Sequence, residues 1–190
     1  MEILRRAKEQ APGPDKIRHT RFAIARNTYR ELRDTTRKTF ESWVPKEMCE
    51  WREADFSCRM RWSVGDGTQA DCEVLFRALD DEDGVKKLLS LELTGAYVNE
   101  IREISKSILD AVKTRVGRYP SKREGGATWF GIWADTNPWH TQHWGHELFK
   151  AGLSGHELFR QPSGRSPDAE NLENLPANYY QNLILGQTAE

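Results

Sequence analysis

Short apolar segments that alternate with longer segments of helical periodicity constrain the fold of this chain more than any other feature. The apolar segments are residues 21–26 (RFAIAR), 96–98 (AYV) and 128–134 (TWFGIWA). Between them, residues 29–43 and 102–116 repeat apolar side chains every three or four positions, as an amphipathic helix does. Parallel strands need crossover connections, which are usually helices. We therefore predict an α/β fold with a largely parallel sheet.

Further elements are predicted from local patterns along the chain. Residues 57–64 alternate polar and apolar side chains, residues 73–79 form a second apolar stretch, and Gly65-Asp66-Gly67 can form the turn between them. This pattern predicts an inserted β-hairpin. The remaining predicted elements are helices at residues 1–10, 80–89, 140–150 and 179–185, and a short strand at residues 156–160.

Composition excludes several classes of protein. A chain of 190 residues with 37% hydrophobic and 30% charged side chains is typical of one globular domain or slightly more. The formal net charge of −1 gives no general positive field that would attract nucleic acid, although a local basic patch could still bind it. The apolar runs are too short to span a bilayer, and the first residues lack the apolar region of a signal peptide. Cys49, Cys58 and Cys72 form no CxxC pair, which favours reduced thiols.

Polar residues follow two of the predicted strands at the point where each strand ends. Asn99-Glu100 follows the AYV segment, and Asp135-Thr136-Asn137 follows the TWFGIWA segment. Ligands of open α/β sheets bind at the carboxyl ends of the strands. There, a glutamate can orient a water for attack on a phosphate, the residue before it can help to hold Mg²⁺, and a second polar tip can sense the γ-phosphate. Glu100, Asn99 and Thr136-Asn137 fit these roles by position, although an acidic helix N-terminus would also explain Glu100.

Five longer stretches resemble the large subunit of tailed-phage terminases, the motor that packages DNA into the viral capsid. In chain order they are RFAIARNTYRELRDTTRKTF, ALDDEDGVKKLLSLELTGAYVNEIREI, RVGRYP, ADTNPWHTQHW and QPSGRSPDAENLENLPANYY, and they cover most of residues 18–180. The resemblance implies a P-loop NTPase-like, three-layer fold. It also implies that TGAYVNE is the Walker B strand with Glu100 as the catalytic carboxylate. Asp135, Thr136 and Asn137 would then form the motif that couples hydrolysis to movement.

The same resemblance implies a substrate, partners and a location. A terminase of this kind hydrolyses ATP with Mg²⁺ and moves double-stranded DNA into procapsids. Its other partners would be the terminase small subunit, the portal protein and further copies of itself in a ring, in the host cytoplasm and without a membrane. Asn99 and Arg26 would assist the nucleotide and Mg²⁺. The alternative for the segment around Arg26 is a plain helix N-cap at Thr28.

The sequence departs from the family pattern in two places. It contains no Gly-x-x-x-x-Gly-Lys-Ser/Thr phosphate loop, and Asn99 stands where the family has the Walker B aspartate. We expect an N-terminally truncated ATPase domain that begins downstream of its phosphate loop, at residues 1–176, and a linker towards a nuclease domain at residues 177–190. We also expect no ATPase activity from this chain alone. The alternative function is that of a non-catalytic assembly or DNA-binding fragment.

Two further groups of residues suggest weaker hypotheses. Arg115 and Arg118 flank a glycine in a predicted loop and could reach the nucleotide of a neighbouring subunit, although a basic turn at a helix end explains them as well. His140, His143 and His146 could supply three zinc ligands of a metal hydrolase. Residues three positions apart on a helix are offset around its axis, so the three histidines do not share one face. Their spacing also matches no established zinc motif, and we assign no metal-ligating residue.

Overall fold

The computed structural model describes residues 2–80, 82–150 and 155–162, and residues 166–167, 169, 173, 176 and 178–179. Two compact units are present, Met1–Glu147 and Leu148–Glu190, and the sheet lies in the first. Within the described residues, no helix has the length and apolar content that a membrane span requires. The predicted domain limits at residues 176 and 177 stay a prediction.

Six strands form one sheet in the order β2-β3-β4-β1-β5-β6. They are β1 (Ile17–Arg26), β2 (Cys49–Arg52), β3 (Ser57–Ser63), β4 (Gln69–Ala78), β5 (Gly95–Val98) and β6 (Gly131–Ala134). The four strands β4, β1, β5 and β6 are mutually parallel, while β3 and β2 are antiparallel to their neighbours. The predicted α/β class with a largely parallel sheet is therefore confirmed.

The helices are short, and one of them contains a wider turn. They are α1 (Glu2–Glu9), α2 (Tyr29–Glu31), α3 (Lys38–Trp43), α4 (Glu82–Leu89), α5 (Lys106–Lys113) and α6 (Trp144–Lys150). A π-helical stretch, Leu32–Arg37, joins α2 to α3 without a break, and the three together are called the α2–α3 segment. Thr28 caps this segment, because its side chain accepts a hydrogen bond from the Glu31 N–H.

Helices cover both faces of the sheet and bury the strands between them. On one face, α1 and the α2–α3 segment pack through Ile3 and Leu32 against Phe22 of β1. On the other face, α4 and α5 pack with side chains such as Leu88 and Leu109 against the alternate residues of β1 and β5. This three-layer arrangement explains why β5 is apolar along its whole length, since a parallel strand is covered on both sides.

The register of the parallel strands places their carboxyl ends at one edge of the sheet. Ala25 of β1 is level with Val98 of β5, and Val98 is level with Ala134 of β6. The residues that come directly after Ala25, Val98 and Ala134 therefore meet, and they are Arg26, Asn99 and Asp135. We call this edge the carboxyl edge.

Several predicted elements differ from those observed. The predicted hairpin is present as β3 and β4, and β4 also pairs with β1 along its full length, which places this strand in the centre of the sheet. This pairing also extends β1 back to Ile17, and β2 was not predicted at all. Residues 156–160 form no strand. The predicted helix at residues 179–185 lies outside the described residues except for Tyr179, which is helical.

The predicted helix at residues 102–116 was wrong at its start. The chain after β5 makes a left-handed turn at Glu100 and one 3₁₀ turn at Ile101–Glu103, and Ile104 is extended. Only then does Ser105 cap α5, by accepting a hydrogen bond from the Ile108 N–H. The helix predicted at residues 140–150 likewise begins only at Trp144, the first residue of α6.

Candidate functional site

The carboxyl edge brings together five of the residues that the sequence singled out. Arg26 ends β1, Asn99 and Glu100 follow β5, and Asp135 and Asn137 follow β6. Direct hydrogen bonds join them into one continuous cluster, in which Asp135 is bonded to the main-chain N–H of Glu100 and the other links are between side chains. We call these five residues the tip cluster.

Asn99 lies at the centre of the tip cluster. Its side-chain oxygen accepts hydrogen bonds from Arg26 Nη1 at 2.6 Å and from Thr36 Oγ1 at 2.9 Å. Its side-chain nitrogen donates to both carboxylate oxygens of Asp135, at 2.9 and 3.0 Å. Asn99 therefore connects the end of β1, the α2–α3 segment and the end of β6.

Arg26 is held by the α2–α3 segment as well as by Asn99. Its Nη1 atom donates to Thr35 Oγ1 at 3.2 Å, and its Nε lies 3.4 Å from a carboxylate oxygen of Glu31. The side chain is only 14% exposed. A guanidinium with this burial and this many acceptors is a fixed positive charge beside Asn99.

Asp135 holds the main chain on both sides of Glu100. Its carboxylate accepts a hydrogen bond from the Glu100 N–H at 2.9 Å, and its carbonyl oxygen accepts one from the Ile101 N–H at 3.0 Å. The Tyr97 hydroxyl accepts a hydrogen bond from Asn99 Nδ2 at 3.4 Å. Burial, and after it the nearby Asp135 carboxylate, raise the pKa of Tyr97.

Glu100 adopts an uncommon main-chain conformation and leaves part of its carboxylate without a hydrogen bond. Its φ and ψ angles are 52° and 56°, in the left-handed region. One carboxylate oxygen accepts a hydrogen bond from Asn137 Nδ2 at 3.2 Å. The other, Oε2, is buried, has no hydrogen-bond partner among the residues that the structure describes and lies 3.5 Å from Arg102 Nε. The carboxylate therefore keeps lone pairs that no described residue uses.

A cleft of about 610 Å³ opens beside the tip cluster. Its apolar wall includes Ile24, Phe40 and Trp133, and Arg26 and Asp135 contribute polar groups. The cleft lies between α1 and the α2–α3 segment, on one face of the sheet. Its volume and mostly apolar lining are typical of small-molecule sites.

The surroundings of Asn99 do not fit direct ligation of Mg²⁺, and the expected indirect role through a bound water stays a prediction. A magnesium ion needs oxygen ligands with free lone pairs. The Asn99 oxygen already accepts two hydrogen bonds, and one donor is a guanidinium only 2.6 Å away. A divalent cation at this oxygen would be repelled by Arg26.

The remaining predicted site residues lie elsewhere or bond locally. Thr136 donates only to the carbonyl oxygen of Asn137. Arg115 and Arg118 lie near the amino end of β5, where the Arg115 side chain donates to the Leu89 carbonyl and the Arg118 N–H donates to the Leu93 carbonyl. This is the edge of the sheet opposite to Glu100, so these arginines are not part of the tip cluster of their own chain.

The histidines do not form a metal centre. Among the described residues, no group of three His, Cys, Asp or Glu side chains could hold a metal ion. His143 uses both ring nitrogens, one against the Arg102 carbonyl at 3.0 Å and one as acceptor for the Gly145 N–H at 3.0 Å. The cysteines are also unsuited to nucleophilic chemistry, because burial raises the pKa of Cys72 to about 12 and raises that of Cys58 as well.

Two contributors to the site were missed in the sequence. Thr36 lies in the π-helical stretch and donates to Asn99, and Tyr97 lies within β5 and accepts a hydrogen bond from Asn99. The position of Tyr97 two residues before Asn99 was a usable signal, since alternate strand residues share a face of the sheet. No local pattern marks Thr36, because its contact spans 63 positions of the chain.

Comparison with known proteins relates this fold to one kind of protein. No protein-family model matches the chain, and no curated protein matches it. Among solved structures, the large terminase of a thermophilic bacteriophage matches with a TM-score of 0.50 and 16% sequence identity, over 71% of this chain and 29% of that one. The same protein in complex with ADP matches with a TM-score of 0.50 and 14% identity, over 71% and 30%.

This similarity establishes the fold. The chain has a terminase-like α/β fold with a six-stranded, mostly parallel sheet. It spans less than a third of the length of the matching terminase structures, since the matches cover 29% and 30% of those chains. The resemblance read from the sequence is thus supported at the level of the fold.

Proposed function

We propose that this chain is part of the ATPase of a terminase-like viral motor, which hydrolyses ATP to move double-stranded DNA into a procapsid. The observation that carries this proposal is the position of Glu100. Its carboxylate lies at the carboxyl edge of a parallel sheet, with one oxygen held by Asn137 and the other without a hydrogen-bond partner among the described residues. The ADP complex of the thermophilic phage's large terminase, whose fold is similar, supports an adenine nucleotide as the ligand.

In this proposal, Glu100 orients the attacking water and accepts its proton. The carboxylate is positioned for this role by two neighbours, because Asn137 donates to its Oε1 and Arg102 Nε lies 3.5 Å from its Oε2. A positioned carboxylate base contributes about 10² to 10⁴ in rate. Because the Asn99 oxygen already accepts two hydrogen bonds, we assign Mg²⁺ no direct ligand there and derive no step through the ion.

Asn137 and Asp135 would connect hydrolysis to movement. Both follow β6, and both bond to Glu100, one to its side chain and one to its main chain. A shift at the end of β6 on loss of the γ-phosphate would therefore move Glu100 directly. Double-stranded DNA, a small subunit, a portal and further copies of the chain in a ring belong to this proposal as partners, and the host cytoplasm as its location.

The test begins with the nucleotide sequence upstream of the Met1 codon, read in frame. We expect it to encode a strand and a Gly-x-x-x-x-Gly-Lys-Ser/Thr loop, because backbone N–H groups and a lysine must cradle the phosphates. Mg-ATP turnover is then measured on the polypeptide that includes this loop, with Glu100→Gln and the control Glu103→Gln. Glu103 is exposed and lies on the neighbouring 3₁₀ turn. We expect Glu100→Gln to lose at least about 100-fold in kcat and the control to change less than about twofold.

Two results would count against the proposal. One is equal turnover in Glu100→Gln and Glu103→Gln. The other is an in-frame stop codon upstream, with no separate reading frame that supplies the loop, which would favour the non-catalytic assembly or DNA-binding fragment. For the 190-residue chain alone we expect no turnover, since it contains no phosphate loop. Measurable turnover that disappears in Glu100→Gln would show that this last expectation is wrong.

A further inference from the structure

The hydrogen bonds around Asn99 determine which end of its side-chain amide is the oxygen and which is the nitrogen. Arg26 and Thr36 are donors and meet one end of the Asn99 amide, while the Asp135 carboxylate is an acceptor and meets the other end. Reversing the amide would place its NH₂ group against the guanidinium and its oxygen against the carboxylate. Every partner therefore requires the same assignment of oxygen and nitrogen in Asn99.

The same pair holds the strained main chain of Glu100. A residue with a side chain and a φ of 52° carries a conformational cost, and it stays there only when its surroundings hold it. The Asp135 carboxylate accepts the Glu100 N–H, and the Asp135 carbonyl accepts the next N–H, from Ile101. Asn99 in turn holds the Asp135 carboxylate through both of its oxygens.

From this geometry we propose that Asn99 and Asp135 act together as positioning residues for Glu100. The pair keeps the peptide of Glu100 in its left-handed turn and so determines where the carboxylate lies. The catalytic meaning of this role rests on the proposed function, in which Glu100 activates water. The positioning itself depends only on the hydrogen bonds of the pair.

The proposal also explains why residue 99 is neutral. An aspartate at this position would place a second carboxylate about 3 Å from that of Asp135, the distance over which the Asn99 amide now donates. Two carboxylates this close cannot both stay ionised without a large cost. Asn99 is therefore the partner that Asp135 requires.

A swap of the two side chains provides the test. Asn99→Asp alone sets two carboxylates against each other. Asp135→Asn alone replaces one of the two oxygens that accept from Asn99 with an NH₂ group, so that two NH₂ groups face each other. The double variant Asn99→Asp/Asp135→Asn restores the balance, because the new carboxylate faces Arg26 and Thr36 and the new amide keeps an oxygen for Glu100.

Two readouts are measured on the full 190-residue chain. The first is the unfolding equilibrium in urea, where we expect each single variant to raise the unfolding constant by roughly tenfold or more and the double variant to recover most of that loss. The second is amide hydrogen exchange of Glu100, which we expect to become roughly tenfold faster in each single variant and to return towards wild type in the double variant. The N–H of Leu93, which is bonded to the Arg115 carbonyl far from the pair, is the internal control. Faster exchange at Glu100 than at Leu93 indicates local opening, whereas equally faster exchange at both indicates global unfolding.

The proposal is overturned if the double variant is no better than the worse single variant, or if Glu100 exchange stays at the wild-type rate in both single variants. Should the single variants not fold, folding of the double variant still supports the pair, and its failure to fold contradicts it. These outcomes are independent of the ATPase test. If the double variant recovers stability while Glu100→Gln keeps its ATP turnover, only the proposed catalytic role is refuted. If Glu100→Gln loses turnover while the double variant does not recover, only the positioning pair is refuted.

Discussion

At the scale of single residues, the main-chain conformation of Glu100 determines the geometry of the candidate site. Left-handed φ values are rare for residues with a Cβ atom, since that atom crowds the neighbouring carbonyl. Glu100 accepts this cost because Asp135 bonds to its N–H, and because the turn aims its carboxylate at Asn137. A glycine would relieve the strain, but it would remove the carboxylate.

The strain at Glu100 can be measured by comparing two variants that both lack the carboxylate. We expect Glu100→Gly to be more stable than Glu100→Ala by about 1 kcal/mol in urea unfolding, because only alanine keeps the Cβ clash at positive φ. Glu103 provides the control, since it is not among the residues with positive φ. There we expect the opposite order, with Glu103→Gly less stable than Glu103→Ala by roughly 0.5 to 1 kcal/mol. The same order at both positions would contradict a left-handed Glu100.

At the scale of elements, local patterns predicted the interior of every strand except β2, and predicted strand interiors better than strand ends. The apolar residues of β1 and β5 and the polar residues after β5 and β6 were placed correctly, because period and strand-end polarity are local properties. The start of β6 was predicted three residues too early. The N–H of Thr128 donates to the side chain of Gln10, which lies 118 positions earlier. Thr128 therefore bonds to Gln10 instead of to a neighbouring strand. Thr36 was missed as a partner of Asn99 for the same reason, since neither contact has a local signal.

The contact between Gln10 and the segment before β6 predicts a measurable loss of stability. Gln10 is buried, donates to the Gly126 carbonyl at 2.8 Å and accepts from both the N–H and the hydroxyl of Thr128 at 3.1 Å. Gln10→Leu keeps the volume but leaves these groups without partners, so we expect a loss of about 2 kcal/mol or more in the free energy of unfolding. The control Lys8→Ala changes an exposed side chain of α1, and we expect about 0.5 kcal/mol or less. Equal small effects would mean that Gln10 does not hold this segment.

At the scale of the whole molecule, the sheet order decides which residues can meet. Because β1 lies between β4 and β5, and β5 lies between β1 and β6, the ends of three parallel strands become neighbours. The antiparallel strands β2 and β3 extend the opposite side of the sheet, away from the tip cluster. They are held to the centre by charge as well as by the sheet, since Asp71 of β4 bonds to Arg59 and Arg61 of β3.

Carboxyl groups with lowered pKa values make the free energy of unfolding depend on pH in the acidic range. Seven described carboxyl groups share this property, and they are Glu2, Asp15, Asp34, Glu53, Asp66, Asp71 and Glu124. For six of them the largest cause is a side-chain hydrogen bond. For Asp71, burial opposes the shift, but hydrogen bonds from Arg59 and Arg61 outweigh it.

Asp71 should be the largest single contributor to this acid dependence, because it is only 9% exposed. A carboxyl group whose folded pKa lies below its unfolded value stabilises the protein above the unfolded value, about pH 4, and this stabilisation is lost as the pH falls through the folded value. We therefore expect Asp71→Asn to lower the free energy of unfolding by about 2 kcal/mol near neutral pH and to approach the wild type as the pH falls below the folded pKa of Asp71. Urea unfolding between these limits measures this convergence, with Asp110→Asn on the exposed side of α5 as control. A gap between Asp71→Asn and wild type that stays constant with pH would mean that Asp71 acts through packing rather than through its charge.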